Sequence, residues 1–149
     1  MSYWGTSAMV KLFTAESDSA RFHAYAGAAA SPLITAEFTR LEFWTALRRK
    51  EAERLVGRGE AKRLLADFDS DVAQGEYEIL PVSSMVRAEF ESVIDRCFSQ
   101  TPPVFIRTLD ALHIAAARAV GEAEIVATDR RLRDAATMLG FQLFPPPMP

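Results

Sequence analysis

"AEIVATDRRLRDAATMLGFQLF", residues 123 to 144, reads as strand, helix, strand. AEIVAT (123–128) is a short apolar run, residues 130–139 carry helical spacing, Gly140 stops that helix, and FQLF (141–144) returns to strand. Two strands joined through a whole helix do not form a hairpin. They lie parallel in one sheet, with the helix packed on a face.

The same alternation runs back to the start of the chain. A strand is expected at 2–5, a helix within 17–30, a strand around Leu33 and Ile34 with Pro32 at its start, and a helix over about 36–50 with Thr35 as its N-cap. Gly57 and Gly59 break the chain before a helix running to about Ala73. Then come the strand EILPV (78–82), a helix from near Ser83 to Phe98, the connection QTPP, and a helix opened by Thr108 and running to Val120. PPPMP (145–149) is expected as a frayed tail after one domain at 1–144, since there is no internal repeat and no linker long enough to split the chain. The pattern implies an α/β fold of three layers, a central parallel sheet of about four to five strands with helices on both faces. Such sheets bind ligands beyond the carboxyl ends of their strands.

Composition agrees with one ordinary globular domain: 149 residues, 49% hydrophobic and 25% charged. A net charge of -3 provides no overall basic field, so a polyanionic substrate has to be met by a local patch or by bound cations. The lone Cys97 forms no internal disulfide, and no leader-like apolar segment opens the chain, which together suggest a reducing cytoplasm. No stretch reaches the ~20 apolar residues of a membrane span.

The informative residues are acids in the wrong surroundings. Gly5 ends the first expected strand and Asp129 directly follows AEIVAT, which puts both on the carboxyl edge of the sheet. Counting about 100° per residue from Phe38, Glu42 falls among Leu41, Thr45 and Ala46 and interrupts that helix's inward stripe. Asp110 shares the apolar face of Ile114, Ala117, His113 and Val120. Unpaired buried carboxylates cost several kcal/mol, so these acids need partners, and a bound cation would serve.

Each has a plainer account as well. Asp129 is a good N-cap for the helix after it, and Asp110 in a first turn complements the helix dipole. Glu42 could pair with Arg107 or Arg40. His113, three residues after Asp110, is either a metal ligand with it or a half-buried histidine bonded to backbone or to an acid. RRKEAERLVGRGEAKR (48–63) holds seven of the seventeen Lys and Arg residues with three Glu among them. It reads either as a solvated, salt-bridged surface or as an RNA-facing patch led by Arg48, Arg49 and Lys50. Phe43 and Trp44 are packing residues or part of a subunit interface, and the surplus of large apolar residues suggests a homodimer.

Four strings, SYWGTSAMVKLF (2–13), ITAEFTRLEFWTAL (34–47), RTLDALHIAAA (107–117) and IVATDRRLRDAA (125–136), resemble in order and spacing the signature segments of PIN-domain ribonucleases, especially the VapC toxins of VapBC toxin–antitoxin pairs. The resemblance runs from residue 3 to about 144. It implies a PIN-like fold and a Mg²⁺- or Mn²⁺-dependent endoribonuclease held in check by a VapB-like antitoxin. On the matching positions, Glu42, Asp110 and Asp129 are the catalytic, metal-holding carboxylates. Thr6, Ser7 and Thr128 would orient them or their bound water.

One position departs from the family pattern. The first strand ordinarily ends in Asp before Thr-Ser-Ala; here Thr6, Ser7 and Ala8 match and Gly5 replaces the acid. Gly5 is either a natural loss in a degenerate member or an inactivating substitution in a toxin harmful to its expression host. Two functions follow: an endoribonuclease impaired at one metal ligand, or a non-catalytic PIN-fold module that binds RNA or a protein partner. Clustered carboxylates repel, so without metal at least one of the three acids is expected to hold its proton more tightly.

Overall fold

The structure, a computed structural model, describes residues 1–29 and 32–149. Its elements are β1 (Tyr3–Trp4), α1 (Thr6–Phe13), α2 (Ser19–Ala28), β2 (Leu33–Ala36), α3 (Thr39–Ala52), α4 (Glu60–Ala73), β3 (Tyr77–Leu80), α5 (Ser84–Phe98), α6 (Thr108–Ala119), β4 (Glu124–Val126), α7 (Arg130–Met138) and β5 (Gln142–Phe144). The five strands form one sheet in the order β3-β2-β1-β4-β5, and every neighbouring pair is parallel.

Alternation along the strands divides the core into two layers. Tyr3, Ile34, Ala36 and Ile125 face α5, α6 and α7, while Trp4, Tyr77 and Val126 face the helices α1 to α4. β1 is only two residues long, yet both side chains are almost wholly buried, one in each layer. The chain winds outward from β1 to β2 and β3 on one side, and through β4 to β5 on the other. That reversal leaves a crevice at the carboxyl end of β1.

Several boundaries differ from the sequence expectation, each for a local reason. The strand expected at 2–5 is Tyr3–Trp4, and Gly5 is the N-cap of α1, a helix the sequence pattern does not reveal. Gly5 still continues the ladder, donating its N–H to Val126 O at 2.9 Å. Thr35 is no N-cap. It belongs to β2, where its hydroxyl donates to Trp4 O at 2.7 Å and pairs with Thr39 Oγ1 at 2.7 Å. The helix expected over 36–50 therefore starts at Thr39 and buries Thr39, Phe43 and Leu47, which leaves Leu41 exposed and Glu42 at the margin of the packed face. Pro32 precedes β2 by one residue, and Ala30, the end of the helix expected within 17–30, lies outside the described residues.

The helix expected from near Ser83 to Phe98 matches α5, and Ser83 caps it, its Oγ accepting the Val86 N–H at 3.2 Å. The expected helix over 108–120 matches α6, whose face carries Asp110, His113, Ile114 and Ala117 all buried, with Val120 exposed beyond its end. Phe43 is wholly buried in the protomer's own core, and Trp44 is half-buried beneath Arg48, whose guanidinium sits 5.5 Å from the ring centroid. Neither side chain by itself offers a bare apolar face to a second copy. No helix among the described residues is long and apolar enough to cross a membrane.

Candidate active site

A cleft of about 440 Å³ opens where the carboxyl ends of β1 and β4 meet α3 and α6. Glu42 reaches it from α3, Asp110 from the first turn of α6 and Asp129 from the residue before α7, so all three sequence-derived carboxylates line one cavity. Thr6 and Ser7 line it from the start of α1. Gly5 is buried one residue behind them.

Glu42 is held by two side chains. Thr6 Oγ1 donates to its Oε1 at 2.8 Å, and His113 Nε2 approaches the same oxygen at 2.5 Å. A carboxylate only accepts, so Nε2 carries a proton. Behind it, His113 Nδ1 pairs with Tyr3 OH at 2.6 Å, and burial pushes the Tyr3 phenol up, which keeps that group protonated. His113 is thus the buried histidine bonded to an acid, one of its two sequence readings. Burial pushes the Glu42 carboxyl up, but the hydrogen bond and charge of His113, the Thr6 hydroxyl and the charge of Arg107 outweigh it and hold the group below its ordinary range. Of the three acids, Glu42 is therefore not one that holds its proton more tightly. Arg40, the other partner considered for it, is engaged instead with Asp69 at 2.7 Å.

Asp110 and Asp129 share one cation. Arg107 Nε donates to Asp110 Oδ2 at 2.8 Å, and its Nη2 donates to Asp129 Oδ2 at 3.0 Å. Asp129 also caps α7, its Oδ1 accepting the Leu132 N–H at 3.1 Å, so the capping and cleft readings of this residue hold together. Ser7 Oγ fixes the turn before that helix by accepting the backbone N–H groups of Thr128 at 2.9 Å and Asp129 at 3.2 Å. Thr128 enters this arrangement through its main chain.

The basic residues divide. Arg49 lines the cleft, whereas Lys50 is paired with Glu16 at 2.8 Å and Arg48 with Glu51 at 3.6 Å. Sequence reasoning left Arg107 as no more than a candidate partner for Glu42. The signal for its place was its i, i+3 spacing to Asp110.

Among the described residues, no three His, Cys, Asp or Glu side chains stand close enough together to hold one ion. The donor chemistry nonetheless suits Mg²⁺ or Mn²⁺, since the cleft offers carboxylate oxygens from three elements. The guanidinium between Asp110 and Asp129 is a stand-in, showing that the space between these two acids accommodates a cation.

Gly5 is not demanded by its backbone. Its φ of -79° and ψ of 159° suit any residue, and a Cβ there would meet Ala127 Cβ at 3.5 Å, Val126 O at 3.6 Å and Leu132 Cδ1 at 3.8 Å, ordinary contacts all. Backbone and space at position 5 thus admit a Cβ.

Among solved structures, the chain is similar to the Mycobacterium tuberculosis VapC20 toxin, described as sarcin-ricin loop cleaving, with a TM-score of 0.67 and 15% sequence identity over 91% of this chain and 95% of that one. No curated protein sequence matches. Residues 5–138, which carry the glycine, all three carboxylates and every strand but the first and last, match the PIN domain family, and the chain belongs to it.

Proposed function

We propose that this chain is an endoribonuclease of the VapC toxin type, impaired by Gly5. The reading is carried by one observation: Glu42, Asp110 and Asp129, brought from three separate elements, line a single cleft at the carboxyl edge of a PIN-domain sheet. Held there, Mg²⁺ or Mn²⁺ would lower the pKa of bound water and neutralise charge developing on a phosphodiester. The protein's own residues set the stage. Thr6 and His113 fix the Glu42 carboxylate, Ser7 fixes the backbone that presents Asp129, and Arg49 at the cleft lining meets the phosphate of an RNA strand.

On this reading the partners are RNA, a VapB-like antitoxin and a second copy of the chain, and the setting is the cytoplasm. Exposed Leu41 and Leu109, both lining the cleft, supply apolar surface for a protein partner. The domain spans 1–144, with 145–149 as a tail.

Restoring the acid tests the proposal. Gly5→Asp should cleave cellular RNA in the presence of Mg²⁺ or Mn²⁺, lose that activity on adding Asp110→Asn, and slow growth when expressed without antitoxin. The chain with Gly5 should cleave poorly, since misplacing a catalytic group by ~1 Å costs on the order of a hundredfold. A second reading, a non-catalytic PIN-fold binding module for RNA or a protein, is favoured by the missing acid itself. It takes over if the Gly5→Asp protein cleaves no RNA with either metal.

A further inference from the structure

Arg107 satisfies both cleft aspartates with one guanidinium. Its Nε donates to Asp110 Oδ2 at 2.8 Å, and its Nη2 lies 3.4 Å from Asp110 Oδ1 and 3.0 Å from Asp129 Oδ2. The remaining oxygen, Asp129 Oδ1, accepts the Leu132 N–H. All four carboxylate oxygens of the pair therefore already accept a hydrogen bond, three of them from this one side chain. Among the described residues, no other cation forms a salt bridge with either aspartate.

We propose that Arg107 is a built-in counter-cation of the cleft: it occupies the Asp110–Asp129 pair, and a divalent ion binds there only by displacing it. This rests on the carboxylate site proposed above and adds what sets its affinity.

Three features support competition rather than cooperation. The oxygens an ion would need are the ones the guanidinium takes, and two cations cannot share them without repulsion. Arg107 is also free to leave. Its side chain is 55% exposed, and the residue stands in extended backbone just ahead of α6, capping the helix with no side-chain bond. Swinging it out breaks its two ion pairs. Finally, Gly5 weakens the ion's side of the contest. The cleft lining sets Glu42, Asp110 and Asp129 against Arg107 and Arg49, and an acid at position 5, just behind that lining, would add a further negative charge on the ion's side.

The test is Mn²⁺ binding to the purified full chain, read by calorimetry and by the thermal melting shift between chelator and Mn²⁺, in four proteins: unaltered, Arg107→Gln, Arg107→Lys and Gly5→Asp. Arg107→Gln keeps the side chain's bulk and removes its charge. It should bind Mn²⁺ at least about tenfold more tightly than the unaltered chain, the equivalent of ~1.4 kcal/mol, with Arg107→Lys close to the unaltered chain. In chelator, Arg107→Gln should melt lower, because both aspartates lose their cation. Adding Asp110→Asn to Arg107→Gln should abolish the gained affinity. If Gly5→Asp binds Mn²⁺ through Asp110 while Arg107→Gln binds no tighter than the unaltered chain, the counter-cation proposal is overturned and the carboxylate site stands. If none of the four binds, both are overturned together.

Discussion

His113 Nε2 lies 2.5 Å from Glu42 Oε1, and the ring that makes this contact is almost wholly buried between the cleft and Tyr3. The bond fixes an acid at the margin of α3 by means of a residue deep in α6. His113→Phe keeps most of the ring volume and deletes both hydrogen bonds, leaving Tyr3 OH and Glu42 each short of a partner. A stability loss of about 1–3 kcal/mol is expected, read as a lower urea midpoint at unchanged slope. A loss below about 0.5 kcal/mol would mean that water replaces the histidine without penalty.

Ser7 presents a second such joint. Its hydroxyl accepts two backbone N–H groups from the β4–α7 turn, those of Thr128 and Asp129. Ser7→Ala removes both acceptor contacts in a half-buried setting, for which about 1–3 kcal/mol is expected. Hydrogen exchange should show the effect locally. Protection of the Thr128 and Asp129 amides should fall before that of β1, and equal protection in the variant would contradict the assigned contact.

The parts of this architecture that the sequence discloses are those with a single available partner. The 123–144 unit is legible because a helix between two apolar runs packs in only one way, and α4 and α5 because Gly57 and Gly59 precede the one and QTPP ends the other. α1 is hidden for the opposite reason. Packed against α2 and α3, it is only eight residues long and buries Ala8, Met9 and Val10 in succession, a run too short for its period to tell helix from strand. Thr35 misleads because a threonine before a helical pattern looks like a cap, while the same β-branched side chain suits a strand that donates its hydroxyl across to β1. In the site, the acids are conspicuous in the sequence because burying them is costly. The network around them is not, since Tyr3, Thr6 and Arg107 each meet their partners through tertiary placement or a choice of rotamer.

Acid should act on the protein through Glu16. Burial raises its carboxyl, but hydrogen bonds and charge from Lys11 and Lys50 win, taking it from its ordinary 4.5 down to about 2. A group depressed in the folded state contributes stability that is fully present above its unfolded pKa and lost as pH falls through the folded one. The window therefore lies between about pH 4.5 and about pH 2. Glu16→Gln should be less stable than the unaltered chain at neutral pH and converge with it towards pH 2. Denaturation curves that stay parallel over that range would show that the Lys11–Glu16–Lys50 contacts contribute nothing to folding.

Position 5 separates charge from geometry when two substitutions are compared. Gly5 is the N-cap of α1 and offers no side-chain acceptor, so both Gly5→Asp and Gly5→Asn introduce a good capping oxygen, worth roughly a few tenths of a kcal/mol over glycine. They differ in the fourth negative charge. In chelator, that charge repels the cleft carboxylates, and Gly5→Asp should melt below Gly5→Asn. With Mg²⁺ or Mn²⁺ the order should reverse, because an ion bound to the folded state alone adds RT ln(1 + [L]/Kd), roughly 2.7 kcal/mol at a hundredfold excess over Kd. Gly5→Asn should follow the unaltered chain and gain little at the same metal concentration. A Gly5→Asp protein that stays below Gly5→Asn in both conditions would show that the added carboxylate meets its neighbours only as a repulsion. The cleft would then be left without an ion to organise.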